Sequence, residues 1–159
     1  MKNIYAVLQT LGILYEKHDH PPLFNCEQAS QYYGQMKGGH TKNLFLRNRS
    51  GNRHYLVSVP PEKQVDLNAL RVKLGESKLG FASPERLMKY LGLTPGAVSL
   101  LGLVNNEDRS VVVVIDNDLW KNDTICCHPN VNTATLEIQR EDLKKFLDHC
   151  GNEVRFMDL

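Results

Sequence analysis

The sequence predicts an α+β fold in a single domain, residues 1–159: a mixed, mostly antiparallel β-sheet or barrel flanked by helices. Three observations lead there. Stretches with strand periodicity and stretches with helical periodicity interleave without the strict β-α-β rhythm of a parallel sheet. No linker, internal repeat or low-complexity tract divides the chain. Its 159 residues, 42% apolar and 23% charged, are enough to bury a core without disulfide or metal staples.

The elements follow in order. "NIYAVLQTLG" carries apolar residues at 4, 7, 8 and 11 and stops at Gly12, as a helix does. "ILYEKHDH" is extended and ends at Pro21–Pro22. "NCEQASQYYG" suits a short helix with Asn25 as cap and Gln28 three residues on. Two strands, 41–48 and 53–59, are joined by "RSGN", whose Gly51 fits a tight hairpin. "DLNALRVKLG" is a helix from Asp66 to Gly75. In "SPERLMKYLGL", Ser83 caps, Pro84 takes the first helical position and Glu85 the first turn. "SVVVVID" is a buried central strand and "TATLEI" a further strand. "REDLKKFLDHCG" is an amphipathic helix, and "EVRFMDL" closes as a strand. At least six strands are expected.

Charge and cysteine usage narrow the class. Residues 37–89 hold 11 Lys/Arg against 4 Asp/Glu, a net of +7, whereas residues 90–159 hold 6 against 11, a net of −5. A basic central segment on a chain of net charge +1 can supply a local phosphate-binding surface. No apolar run approaches the roughly 20 residues of a membrane span, and "MKNIYAVLQTLGI" has no signal-peptide cleavage pattern. A cytoplasmic location without membrane contact is expected. Cys26, Cys126, Cys127 and Cys150 form no C-x-x-C pair and read as reduced, mostly core thiols.

Three segments concentrate polar and backbone-shaping residues. In "HTKNLFLRN", Lys42 shares a strand face with Leu44 and Leu46, so an ammonium sits at the rim of an apolar face. Snorkelling alone would account for that lysine. "GLTPGAVS", 92–99, holds a Thr-Pro-Gly turn whose glycine lets backbone N–H groups approach a ligand; an ordinary turn fits equally. In "CCHPNVNTAT", 126–135, His128 is held extended before Pro129, and Asn130, Asn132 and Thr133 add small donors and acceptors. Other chemistries lack their signatures. The spacing of His18, His20, Cys127 and His128 matches no zinc motif. Ser99 has no G-x-S-x-G elbow. There is no P-loop or G-x-G-x-x-G. No metal and no cofactor are expected.

Taken together and in order, "HDHPPLFNCEQA", "GGHTKNLFLRNRSGNRHYLV", "GLTPGAVS" and "HPNVNTATLEI…DLKKFL" resemble the YbaK/prolyl-tRNA deacylase family, whose fold also occurs as the editing insertion domain of bacterial prolyl-tRNA synthetases. The resemblance spans nearly the whole chain. "TKNLFL" with "HPN-N-TAT" is most similar to the free-standing members that act on alanyl-tRNA(Pro), less to those that clear cysteinyl-tRNA(Pro). It implies a trans-editing aminoacyl-tRNA hydrolase whose partners are the tRNA(Pro) acceptor end and prolyl-tRNA synthetase. The alternative is a non-catalytic tRNA- or synthetase-binding module of the same fold.

The roles it implies are specific. Lys42 is essential, with Asn43 and His128 in the same cleft. The loop Gly96, Ala97, Val98, Ser99 offers backbone N–H groups to the ester carbonyl. Read from the residues themselves, Asn130, Asn132 and Thr133 are expected to contact the substrate, and Arg47, Arg49 and Arg53, clustered on one hairpin of the basic segment, to meet the tRNA. Lysine, with an ordinary pKa of about 10.4, is a poor base near neutrality, so Lys42 would position and stabilise charge while the substrate's 2′-hydroxyl activates water. A pocket closed by Val98 or Leu100 would admit alanine and exclude proline, a second sieve. The chain has Leu100-Leu101 where many members carry Pro-Phe.

Overall fold

The structure, a computed structural model, describes residues 1–22, 36 and 38–159. In chain order its elements are α1 (Ile4–Thr10), β1 (Tyr15–Asp19), β2 (Lys42–Asn48), β3 (His54–Val59), α2 (Leu67–Leu74), β4 (Leu79–Phe81) and α3 (Pro84–Leu91). A 3₁₀ helix (Leu100–Asn105) follows, then β5 (Val111–Asp116), α4 (Asn117–Trp120), β6 (Thr124–Cys127), β7 (Ala134–Gln139), α5 (Arg140–Cys150) and β8 (Val154–Met157). The helix expected at "NCEQASQYYG", with its Asn25 cap, lies outside the described residues, as does Cys26.

Local chemistry sets the helix ends. Asp66 accepts from the amides of Asn68 and Ala69, and Ser83 from that of Arg86, so each satisfies donors that a first turn leaves orphaned. Asn3 does the same for α1. The β2–β3 hairpin forms where "RSGN" predicts, with Gly51 at φ +74°, a left-handed conformation open to glycine at little cost.

Two sheets result. One is antiparallel, in the order β1-β7-β6. The other has five strands in the order β4-β2-β3-β5-β8: β2 pairs antiparallel with β3 and β4, and β3–β5 and β5–β8 are parallel. The α+β class with mostly antiparallel pairing holds, but the barrel does not. The crossover from β5 to β8 carries β6, β7 and α5 off as a second layer, so the five-stranded sheet stays open. Among the described residues, one isolated bridge, Gly39 to Ile125, connects the β2 side to β6.

The five-stranded sheet is covered on both faces, which is why β3 is buried along its whole length. Alternate side chains go to different cores. Leu56, with Phe45, Val113 and Ile115, joins the larger core with α1, α3, α5 and the inner face of β6–β7. Tyr55, Val57 and Val59 join a smaller one with Leu46, Leu70 and Leu74 beneath α2.

Candidate active site

The start of β2, the 94–99 loop and the β6–β7 loop converge at one place. Asn43 points to the larger-core face. Its Nδ2 donates to the Val98 carbonyl at 3.2 Å, and its Oδ1 accepts from the hydroxyl of Ser58, the residue directly across on β3. Thr41 Oγ1 donates to the Cys126 carbonyl at 2.9 Å, tying β2 to the end of β6. Asn130 Nδ2 reaches the Leu101 carbonyl at 3.5 Å. Asn130 has φ +64°, a left-handed conformation that asparagine tolerates. The cleft is therefore bounded by side-chain amides that clamp carbonyls of the neighbouring loop.

Within that loop the N–H groups are not equivalent. The Ala97 amide donates to Thr94 O at 3.1 Å and is used by the turn. The Ser99 hydroxyl is buried and accepts from Leu101 N at 3.1 Å, capping the 3₁₀ helix. The amides of Gly96, Val98 and Ser99 have no such partner among the described residues. Gly96, at φ +91°, provides the reversal that turns this segment. Leu100 is fully in the core, so of the two residues expected to close a pocket only half-buried Val98 stands at the rim.

His128 sits half-buried with Nδ1 3.1 Å from the Ala134 carbonyl. A carbonyl can only accept, so Nδ1 carries the proton and Nε2 holds the lone pair of the neutral ring. Burial pushes the His128 pKa down, opposed by the Ala134 carbonyl and assisted by His20, whose ring lies 6.3 Å away. His20 is itself held by Thr135 Oγ1 and the Pro21 carbonyl, each at 2.9 Å. Asn132 is half-buried and Thr133 exposed beside them.

Lys42 takes the other side of the strand. Successive strand residues face opposite ways, and its Nζ donates to the Lys63 carbonyl at 2.5 Å, on the Leu44–Leu46 face. β4 pairs only with Leu46–Asn48, so Lys42 and Asn43 straddle a stretch of β2 edge with no second strand neighbour among the described residues. The hairpin cations lie at the far end of β2. Arg49 and Arg53 are exposed, while Arg47 bonds the carbonyls of Asn48 and Arg49.

Sequence reasoning missed several residues. Ser58 and Lys63 were hidden because a buried hydroxyl and a loop lysine have no periodic signature. His54 is buried against Phe45 and Tyr90 with Arg86 Nη1 3.1 Å from its Nε2. Burial, with the positive charge of Arg86 next, lowers its pKa to about 4. Burial raises the thiol of Cys126 to about 12 and that of Cys150 to about 11, so neither is a thiolate near neutrality. Among the described residues, the one close group of potential metal ligands is Glu16, His18 and Glu137, on β1 and β7; it includes neither His20 nor His128.

Comparisons with known proteins give the family and the fold. The model of the aminoacyl-tRNA editing domain matches residues 20–146. The prolyl-tRNA editing protein ProX of Acetoanaerobium sticklandii is 39% identical over 156 residues, 98% of this chain and 95% of that one. The prolyl-tRNA synthetase associated domain-containing protein 1 of Danio rerio is 33% identical, over 92% of this chain and 80% of its own. A solved structure named as a candidate trans-editing enzyme for prolyl tRNA synthetase superposes with a TM-score of 0.73 at 21% identity, covering 99% of this chain and 95% of the other, and so shares the fold.

Proposed function

The chain belongs to the aminoacyl-tRNA editing domain family, and from that premise we propose that it is a trans-editing hydrolase of mischarged tRNA(Pro), with alanyl-tRNA(Pro) as its main substrate. The observation that carries the reading is the convergence of Asn43, the Val98 loop and Asn130 through the Val98 and Leu101 carbonyls, with loop amides unspent beside them. Such amides are preorganised donors for the oxyanion that forms when water attacks an ester.

The roles then divide by chemistry. The amides of Gly96, Val98 and Ser99 receive the carbonyl oxygen. Asn43 holds the loop at its working distance, and Ser58 holds Asn43. Lys42 supplies positive charge at the open strand edge, where the terminal adenosine and its phosphate approach. The 2′-hydroxyl of that adenosine assists the water, and neutral His128 offers Nε2 as an acceptor for the displaced proton. Val98 is the gate that distinguishes alanine from the larger proline. The hairpin arginines carry the tRNA, and prolyl-tRNA synthetase is the enzyme whose errors the protein clears.

The test is single-turnover hydrolysis across alanyl-, cysteinyl-, seryl- and prolyl-tRNA(Pro), with and without a chelator. Rapid loss of alanine with prolyl-tRNA(Pro) spared is expected. A preference for cysteine would reassign the substrate. Binding of tRNA(Pro) without hydrolysis of any ester would make the chain a binding module.

A further inference from the structure

The contact that holds Lys42 leads to residues outside the cleft. A lysine at a strand edge has a long, flexible stem and would by default extend into water. Here Nζ is anchored by the Lys63 carbonyl. One of its three N–H donors is thereby fixed and two remain for a ligand.

The position of that carbonyl is itself determined. The Lys63 amide closes a turn onto Pro60 O at 3.1 Å, and the Lys63 ammonium lies 2.6 Å from Asp116 Oδ2 and 2.8 Å from Asp118 Oδ2. Asp116 ends β5, an inner strand between β3 and β8, and its carboxylate is fully buried. Its Oδ1 accepts from the amides of Asp118, at 3.4 Å, and Leu159, at 3.3 Å. The contacts therefore run from a rigid strand to the head of Lys42 through a single residue.

The arrangement also sorts the charges. Both carboxylates already face Lys63, and the acceptor given to Lys42 is a neutral carbonyl. Among the described residues Lys42 makes no ion pair, so its charge is left for an anionic ligand. The bonds to Asp116 and Asp118 favour the charged form of Lys63 and raise its pKa, and the bond from Lys63 holds Asp118 down to about 2. Lys63 and Asp118 stay ionised across the neutral range.

We propose that Lys63, locked by Asp116, is the positioning residue for Lys42, holding its ammonium at the strand edge uncompensated and oriented for the tRNA ester. The proposal rests on the reading of Lys42 as the cation that meets the substrate at the open edge of β2.

A double-mutant cycle with Lys42→Ala tests it. Lys63→Met removes the clamp but strands a buried carboxylate and endangers folding, so Lys63→Met/Asp116→Asn is made beside it, with circular dichroism as the folding control. Single-turnover hydrolysis of alanyl-tRNA(Pro) should slow by roughly 10- to 100-fold, the range for an ångström-scale misplacement, with the half-saturating tRNA concentration little changed. Lys63→Arg, which keeps a cation on Asp116, should restore most of the rate. In the Lys42→Ala background the same changes should cost nothing further. An equal fractional loss in that background, or no loss in the wild-type one, overturns the clamp while Lys42 keeps its role. A wild-type rate in Lys42→Ala itself removes the role of Lys42, and the clamp with it.

Discussion

At its Asn43 end, β2 sets a side-chain amide on the Val98 carbonyl and the buried Ser58 hydroxyl, and Thr41 just before it donates to the Cys126 carbonyl. Five residues on, about 17 Å at ~3.4 Å per residue, it turns into a hairpin bearing Arg47, Arg49 and Arg53, with Arg86 docked on the Gly51 carbonyl at 3.1 Å. The same strand thus offers mostly neutral, fixed donors at one end and exposed cations at the other. Neutral preorganised donors stabilise developing charge without attracting bulk anions, whereas exposed cations attract a polyanion at long range. Substitutions at the first end should act on rate, those at the second on affinity, and Lys42 is a cation placed with the first.

Lys42→Ala carries the largest expected effect. Single-turnover hydrolysis of alanyl-tRNA(Pro) should fall by about 10² or more, comparable to losing one oxyanion donor. The thermal midpoint should hold, since no buried partner charge is stranded. Lys42→Arg should also be slow, because a planar guanidinium cannot present the compact head that the Lys63 carbonyl receives. A near-wild-type rate for the alanine variant would return Lys42 to simple snorkelling.

His128→Ala comes next, with a loss on the order of tenfold from a displaced acceptor and a midpoint shift of a few degrees. A collapse of stability would class the histidine as a packing residue. Because its pKa is lowered, the histidine is neutral at pH 7, and the acid limb of the wild-type rate should lie below pH 6.5. That limb should vanish in the variant.

Arg49→Ala should leave the saturated rate intact. Its mark is a weaker affinity for tRNA(Pro) and a salt slope smaller by about one. Arg47→Ala should add some loosening of the turn, since Arg47 holds two hairpin carbonyls. Equal affinity and slope for both variants would move the tRNA off the hairpin.

The last effect belongs to His54 and concerns stability alone. Its folded pKa is lowered to about 4 from the ordinary 6.5, so the unfolded chain binds more protons between those values. Stability contributed by the neutral ring is complete above pH 6.5 and declines as pH falls toward 4, by at most about 1.4 kcal/mol per unit. His54→Phe should flatten that part of a midpoint-against-pH curve; an unchanged slope would assign it to other groups.

Much of this was legible in the chain. Strand and helix periods, the caps at Asp66 and Ser83 and the hairpin at Gly51 are local, and local chemistry decides them in the structure as it does in the sequence. The α+β class follows from their order. The short elements β4, α4 and the 3₁₀ helix were not legible, because three to six residues leave no periodic trace. Nor was the open form of the sheets, which depends on where the β5–β8 crossover lays its strands.

The candidate site divides the same way. Each of its segments carries its own signal: an ammonium on an apolar strand face, a Thr-Pro-Gly turn, a His-Pro in an asparagine-rich loop. By itself the sequence determined which residues could act, because donors, acceptors and turn formers are properties of residue types. Only the tertiary structure decided which atoms remain free to act. Ala97 N and Ser99 Oγ are spent inside the loop, Leu100 is withdrawn into the core, and Lys42 is turned away from Asn43 onto a carbonyl fixed by Asp116. A hydrogen bond between residues 21 or 55 positions apart depends on how sheets and loops come together in space, and no local pattern records it.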